Sequence, residues 1–196
     1  MTFEELCEIL TSEEPSELLR INKDKLFRLI PELRNCENFN QHSPWHPHDV
    51  LEHIYHVVDA TDNVLELRIA ALFHDIGKPS TYEVEIRNGN EIGHFPKHWE
   101  KSNKIFKHFL RINGIRLQNR KLISKLILNH DFRFSINKSN DELIEKLTEL
   151  FTEDEVRMLY NLRNADLSDQ IIQPGWILDY DGELNQILSR YGSKTL

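Results

Sequence analysis

Ala70-Ala71-Leu72-Phe73-His74-Asp75-Ile76-Gly77-Lys78-Pro79 is the stretch on which the reading of this chain turns. Four small or apolar residues read as the end of a buried helix, and the His, Asp, Gly and Pro that follow come in the order in which a helix is stopped. A polar pair is thereby predicted at a buried helix end. Neighbours on a helix point about 100° apart, so His74 and Asp75 grip one ion together only if it lies near the end of the axis, with other helices completing the set. Alone, such a pair is more often a plain helix end, with His on the last carbonyls and Asp in water. The rest of the chain decides between the two.

Working outward, residues 2 to 10, 15 to 22 and 23 to 33 carry apolar positions at helical spacing and are predicted as a helical arm. Asn35 to Pro47 reads as a loop, with Trp45 between prolines. A long helix is expected from His48 or Asp49, its apolar face running Val50, Leu51, Ile54, Val57, Val58, Val64 and Leu65, with His53 on or beside that face and His56 three residues on. Another, from about Leu67, leads into the opening stretch. Tyr82, Val84 and Ile86 alternate with charge ahead of Asn88-Gly89-Asn90, which predicts a β-hairpin over 81–95 inserted between helices. Further helices are expected from Lys97 to Asn113, from Leu117 to Asn129 with Leu122, Ile123, Leu126, Ile127 and Leu128 buried, over 140–150 and 153–167, and from Asp181 to Tyr191 after Pro174-Gly175. The expected class is all-α with one small hairpin, divided into an N-terminal arm (1–34), a central domain (35–170) and a C-terminal helical extension (171–196).

Composition narrows the function. With 196 residues, 39% hydrophobic and 29% charged, the chain suits one soluble domain with appendages. It has no apolar run of about 18 residues, its first residues are acidic, and a cytoplasmic protein without membrane contact is expected. Cys7 and Cys36 lack the spacing of a zinc knuckle and read as free thiols. A net charge of −8 argues against a broad face for a DNA duplex, and leaves room for a small anion held by a metal.

His53, then His74 with Asp75, then His94 or His98, then His130, and last Asp166 fall at ends or on inward faces of the expected helices. Imidazole and carboxylate together suit first-row divalent ions, and a carboxylate can bridge two of them. On these residues the chain resembles the HD-domain phosphohydrolase superfamily, whose signature is H…HD…D. The stretches Phe27 to Leu33, Trp45 to His53, Arg68 to Pro79 and Gly93 to Glu100 are similar, more narrowly, to the HD domain of bacterial tRNA nucleotidyltransferases, the CCA-adding enzymes; the likeness covers residues 20 to 170. No Gly-Ser-Arg head with paired carboxylates stands ahead of residue 20, so nucleotide addition is not expected and tRNA stays open as a partner.

The resemblance implies an HD-fold helical bundle. It implies His53, His74, Asp75 and Asp166 as ligands of a divalent ion (Mn, Mg, Ni, Co, Fe or Zn), and His98 and His130 as ligands of a second in the six-ligand branches. The implied activity is a metal-dependent phosphohydrolase acting on a phosphomonoester or phosphodiester of a nucleotide or similar small molecule. In it Asp75 anchors the ions, and His98 or His130 can instead act as general acid. Lys78, His94 and Arg133 are the expected contacts for the substrate phosphate, Lys78 and Arg133 being weighed against solvated cations at helix ends. His46 is balanced between site and structure, His42, His48, His56 and His108 read as surface or structural, and Trp45 and Trp99 as core rather than stacking platforms. The competing class is a sensor or scaffold that keeps fold and metal without turnover. The sequence carries no signal for oligomeric state.

Overall fold

The chain opens with α1 (Phe3–Leu10), α2 (Pro15–Ile21) and α3 (Lys23–Leu29), followed by a 3-10 turn over Pro31–Asn35. A computed structural model describes residues 1–134, 139–171 and 179–192. Next come α4 (Val50–Ala60), α5 (Leu65–Phe73), a 3-10 turn over Lys78–Ser80, the strands β1 (Glu83–Arg87) and β2 (Asn90–His94), and α6 (His98–Ile112). The series closes with α7 (Arg120–Asn129), α8 (Asp141–Leu150), α9 (Glu153–Ser168) and α10 (Tyr180–Gly192). Among the described residues the only sheet is the two-stranded hairpin, so the expected class, all-α with a small β insertion, is the one found.

α5 is the axis of the bundle. Leu67 to Phe73 are buried without a break, as expected of a helix that is apolar all round, and α4, α6, α7, α9 and α1 pack about it. Ala70 and Ala71 leave room for close neighbours. The one charged member of that run, Arg68, donates from Nη1 to the carbonyls of Leu10 and Ser12 at 2.6 and 2.7 Å, so it spends its charge at the end of α1 and ties the arm to the axis.

Three local expectations need correction. The expected long helix stops at Ala60: Thr61 is extended (φ −79°, ψ 148°), and Val64 caps the start of α5. α7 starts at Arg120, three residues later than Leu117, and Leu122 and Leu128 are half-buried while Ile123, Leu126 and Ile127 are fully in the core. Gly77 does not stop α5 in a left-handed turn, since its φ is −81°. It is there for closeness: a Cβ would lie 2.6 Å from the carbonyl oxygen of His98 and 2.7 Å from the amide of Ser102, whose Oγ accepts from the Gly77 N–H at 2.9 Å. The first turn of α6 thus rests on the backbone just after His74-Asp75. Pro174 and Gly175 lie outside the described residues.

The hairpin turns at Asn88 and Gly89, both with positive φ (54° and 78°), the geometry that favours Asn-Gly between twisted strands. β1 is exposed along its whole length. The hairpin is held at its base, where Gly93 donates to the His42 carbonyl at 2.9 Å.

Candidate metal centre

Five helices deliver side chains to one buried point. His53 comes from the inner face of α4, capped at Asp49, whose carboxylate accepts from Glu52 N–H at 2.8 Å. His74 is the last residue at the end of α5, with Asp75 next. His98 begins α6, and His130 ends α7. Asp166 lies on the last turns of α9, which opens with a capping box between Thr152 and Glu155. All six side chains are buried.

The protonation of the imidazoles can be read from their partners. His74, His98 and His130 each set Nδ1 against a backbone carbonyl, of Ala71 at 2.7 Å, Phe95 at 3.0 Å and Ile127 at 2.8 Å. His53 sets Nδ1 against Asp169 Oδ2 at 2.8 Å. Those oxygens only accept, so each Nδ1 carries the proton and each Nε2 of a neutral ring presents a lone pair. The Nε2 atoms then face one another in pairs: His53 and His74 at 3.3 Å, His98 and His130 at 3.2 Å. Where both rings of a couple are neutral the facing lone pairs repel, and a cation between them removes the conflict; in the metal-free first couple a proton on His53 takes that place.

Asp75 stands between the pairs and divides its oxygens. Oδ2 is 3.3 Å from both His53 and His74 Nε2, and Oδ1 is 3.1 Å from His98 and 3.5 Å from His130 Nε2. Oδ1 is buried yet has no hydrogen-bond partner. Asp166 Oδ1 adds to the first group, 3.1 Å from His53 Nε2. Ligands about 2.0–2.1 Å from one tetrahedral ion stand about 3.3 Å from each other, which is the spacing seen here. Two buried sets could therefore each hold a metal ion: His53, His74, Asp75 and Asp166, and then Asp75, His98 and His130.

Charge is managed without an ion as well. Burial works against ionising Asp75, but Lys78 and the surrounding imidazoles hold it well below the usual carboxylate range. The same balance, with His53 the main counterweight, keeps Asp166 ionised. Burial pulls His53 down, and Asp166, Asp169 and Asp75 reverse that and raise it to about 10, whereas burial keeps His74 low and neutral. Lys78 is itself buried, its Nζ 2.5 Å from Asp75 Oδ2 and donating to Gln41 Oε1 at 2.8 Å. It is neither a solvated lysine nor free of the ligands.

A cavity of about 300 Å³ opens on Asp75, Lys78, His98, His130 and Asp166, and is walled by the hairpin base (Gly93, His94, Phe95), by Trp45 and His46, and by Asp131, Arg133 and Gln170. His94 and Arg133 sit at its exposed rim, already paired with Glu85 and Asp131 at 3.1 and 3.3 Å. His46 is inside: burial, helped by the positive charges nearby, pushes it down to about 4, and its buried Nδ1 has no partner. Asp169 is the residue that sequence reading passed over. It accepts from His53 through Oδ2 and from His56 Nδ1 through Oδ1 at 2.6 Å, so His56, read as surface or structural, belongs to the support of the site. The signal was available, because Asp166 and Asp169 are three apart and His53 and His56 are three apart on facing helices.

Fold and site together define a helical domain that gathers buried histidines and aspartates able to hold a metal ion. The chain belongs to the HD domain family, whose model matches residues 46–173. It is also 39% identical over 85 residues to the "Multifunctional CCA protein" of Ralstonia nicotianae, covering 40% of this chain and 20% of that protein. A second "Multifunctional CCA protein", from Herminiimonas arsenicoxydans, is 38% identical over 86 residues, 41% of this chain and 21% of its own. The match thus spans about a fifth of these relatives, and membership of the HD family places the chain in a superfamily of metal-dependent phosphohydrolases. Among the described residues no helix is long and apolar enough to cross a membrane.

Proposed function

We propose that this protein hydrolyses a phosphate ester of a nucleotide or similar small molecule, using one or two divalent ions. The carrying observation is the pair of facing Nε2 couples on either side of Asp75, which opens with His98, His130 and Asp166 on a cavity of about 300 Å³. His53, His74, Asp75 and Asp166 would hold the first ion, and His98 and His130, with the other oxygen of Asp75, the second. When bound, such ions neutralise charge on phosphoryl oxygens and acidify a water.

The remaining roles fall to the chain. Asp75 fixes the separation of the two groups, because one carboxylate serves both. Lys78 holds Asp75 from the side and brings positive charge to the cavity wall. Arg133 and His94 at the rim meet the outer oxygens of the phosphate after leaving Asp131 and Glu85. If only the first set takes an ion, His98 or His130 is placed to give a proton from Nε2 to the leaving oxygen, its Nδ1 held by a carbonyl. The small cavity favours a compact substrate; the likeness to part of the CCA proteins leaves tRNA a candidate for the same site.

The test is turnover by purified protein with added Mn, Mg, Ni, Co, Fe or Zn. The panel is p-nitrophenyl phosphate, bis-p-nitrophenyl phosphate, nucleoside monophosphates and 2′,3′-cyclic nucleotides. Metal-dependent release of phosphate or alcohol that Asp75→Ala abolishes supports the proposal. Tight metal and nucleotide binding without turnover on any member would replace it with the sensor or scaffold reading.

A further inference from the structure

The net charge of −8 conceals a strong segregation. Residues 101–130 contain eight of the 24 Lys and Arg of the chain and none of its 32 Asp and Glu. The structure folds this stretch into α6, its connecting loop and α7, and between them lies a cleft of about 620 Å³ bordered by Lys107, Arg111, Arg116, Arg120, Lys121 and Lys125. Its floor is apolar: Phe106 and Leu110 are buried, and Ile115 is half-buried. Two carboxylates touch the border, Glu155 on Lys125 at 2.5 Å and Glu66 accepting from Asn119 at 2.6 Å. Among the described residues Lys107, Arg116, Arg120 and Lys121 have no ion-pair partner, although like charges gathered this way repel and burden the fold.

We propose that the α6–α7 cleft binds the phosphate backbone of a single-stranded nucleic acid. The argument is charge complementarity and shape. Cations face each other across a groove from two helices, and along α6 Lys107 and Arg111 are four residues apart, a rise of about 6 Å, on the scale of successive phosphates in an extended strand. A cleft of about 620 Å³ has room for a short length of one strand. A membrane is disfavoured because the apolar side chains are recessed beneath the cations, whereas a membrane-docking face carries them outermost. An acidic protein would meet the same charges, and the polyglutamate arm of the test separates it from a nucleic acid. The cleft is distinct from the 300 Å³ cavity of the metal centre, since it is lined by different residues, and the proposal stands whether or not that centre is hydrolytic.

The experiment measures fluorescence anisotropy of a labelled single-stranded RNA or DNA 12-mer titrated with the full chain. Chelator is present throughout, so that the metal centre neither cleaves the strand nor holds it through an ion. Binding is expected to weaken with salt with a log–log slope of about −0.7 per phosphate contacted, or about −2 to −3 for three or four contacts. The triple variant R116E/R120E/K121E should bind at least ~10-fold more weakly at low salt, with unchanged helix content by circular dichroism. A duplex of the same length should bind less tightly than the single strand. No binding at low salt, equal binding by the triple variant, or a preference for anionic vesicles or polyglutamate over the oligonucleotide would overturn the proposal.

Discussion

Replacing Lys78 by Met removes one charge of a buried pair and keeps most of the stem. In the parent, Nζ lies 2.5 Å from Asp75 Oδ2, both residues are almost fully buried, and the ammonium sits 5.4 Å from the Phe95 ring. Taking away one partner of a buried ion pair costs about 3–5 kcal/mol, chiefly because the other charge is left uncompensated. For a chain of this size each kcal/mol is worth roughly 2–4 °C in Tm, so the chelated variant should melt ~10 °C below the parent. An ion in the first set compensates Asp75 in place of the ammonium. Metal should therefore restore most of the lost Tm, and apparent metal affinity of the variant should rise, by ~100-fold if ~3 kcal/mol of the cost is relieved on binding. Thermal melts with chelator and with saturating divalent ion, beside titration calorimetry, measure both arms. An equal fall in Tm with and without metal would refute the view that Lys78 and the ion share one carboxylate, and so would no fall in chelator. Turnover at saturating divalent ion should drop, because the cavity loses its inner cation.

Asp169→Asn should lower metal affinity by roughly 10–100-fold, since it weakens the acceptor that orients His53, and should lower the metal-free Tm as well, since it removes one of the carboxylates that favour protonated His53; equilibrium dialysis and thermal melts check the two. His98→Ala and His130→Ala should each lower bound metal by about one ion per chain, while His74→Ala removes the ion of the other set, as elemental analysis will read. In the metal-free protein the raised value of His53, about 10, lies above the 6.5 of the unfolded chain. Its protonated form then adds stability that is complete below pH 6.5 and lost as pH rises through about 10. A metal requires the neutral ring, so the Tm gain on adding metal should grow from pH 6.5 to 9, with protons released on binding; calorimetry in buffers of different ionisation enthalpy counts them, and no dependence on buffer would contradict the assignment.

The bundle and the helix ends that carry the candidate ligands were legible because helical periodicity and the His-Asp pair are local signals. What failed failed for identifiable reasons. Val57, Val58, Val64 and Leu65 keep the phase of one helix face because a seven-residue gap is almost two turns, whether or not the chain between is helical, and the polar Thr61-Asp62-Asn63 was the break. Asp169 lay just beyond an expected helix end at 167, while α9 runs to Ser168 and keeps Asp169 in phase with Asp166. Lys78 looked exposed because a lysine beside Gly and Pro usually is, and only the long-range approach of Gln41 and Asp75 buries it. Net charge is a sum and has no address. The acid-free run from 101 to 130 was visible in the letters, but its gathering on two sides of one cleft needed the fold.

At Gly77 the main chain meets the main chain of α6, and the Ser102 side chain adds its Oγ as acceptor for the Gly77 N–H. The spacing of His98 from Asp75 is consequently carried largely by backbone, with the missing Cβ of Gly77 and the hydroxyl of Ser102 as its two sequence requirements, as a hinge pin is carried by its bracket. Lys104, Lys107 and Arg111 lie exposed on the outer side of that helix, away from the atoms that meet Gly77. Natural variation can therefore rewrite what the outside of α6 recognises, generation by generation, while the alignment of the buried ligands is handed down intact.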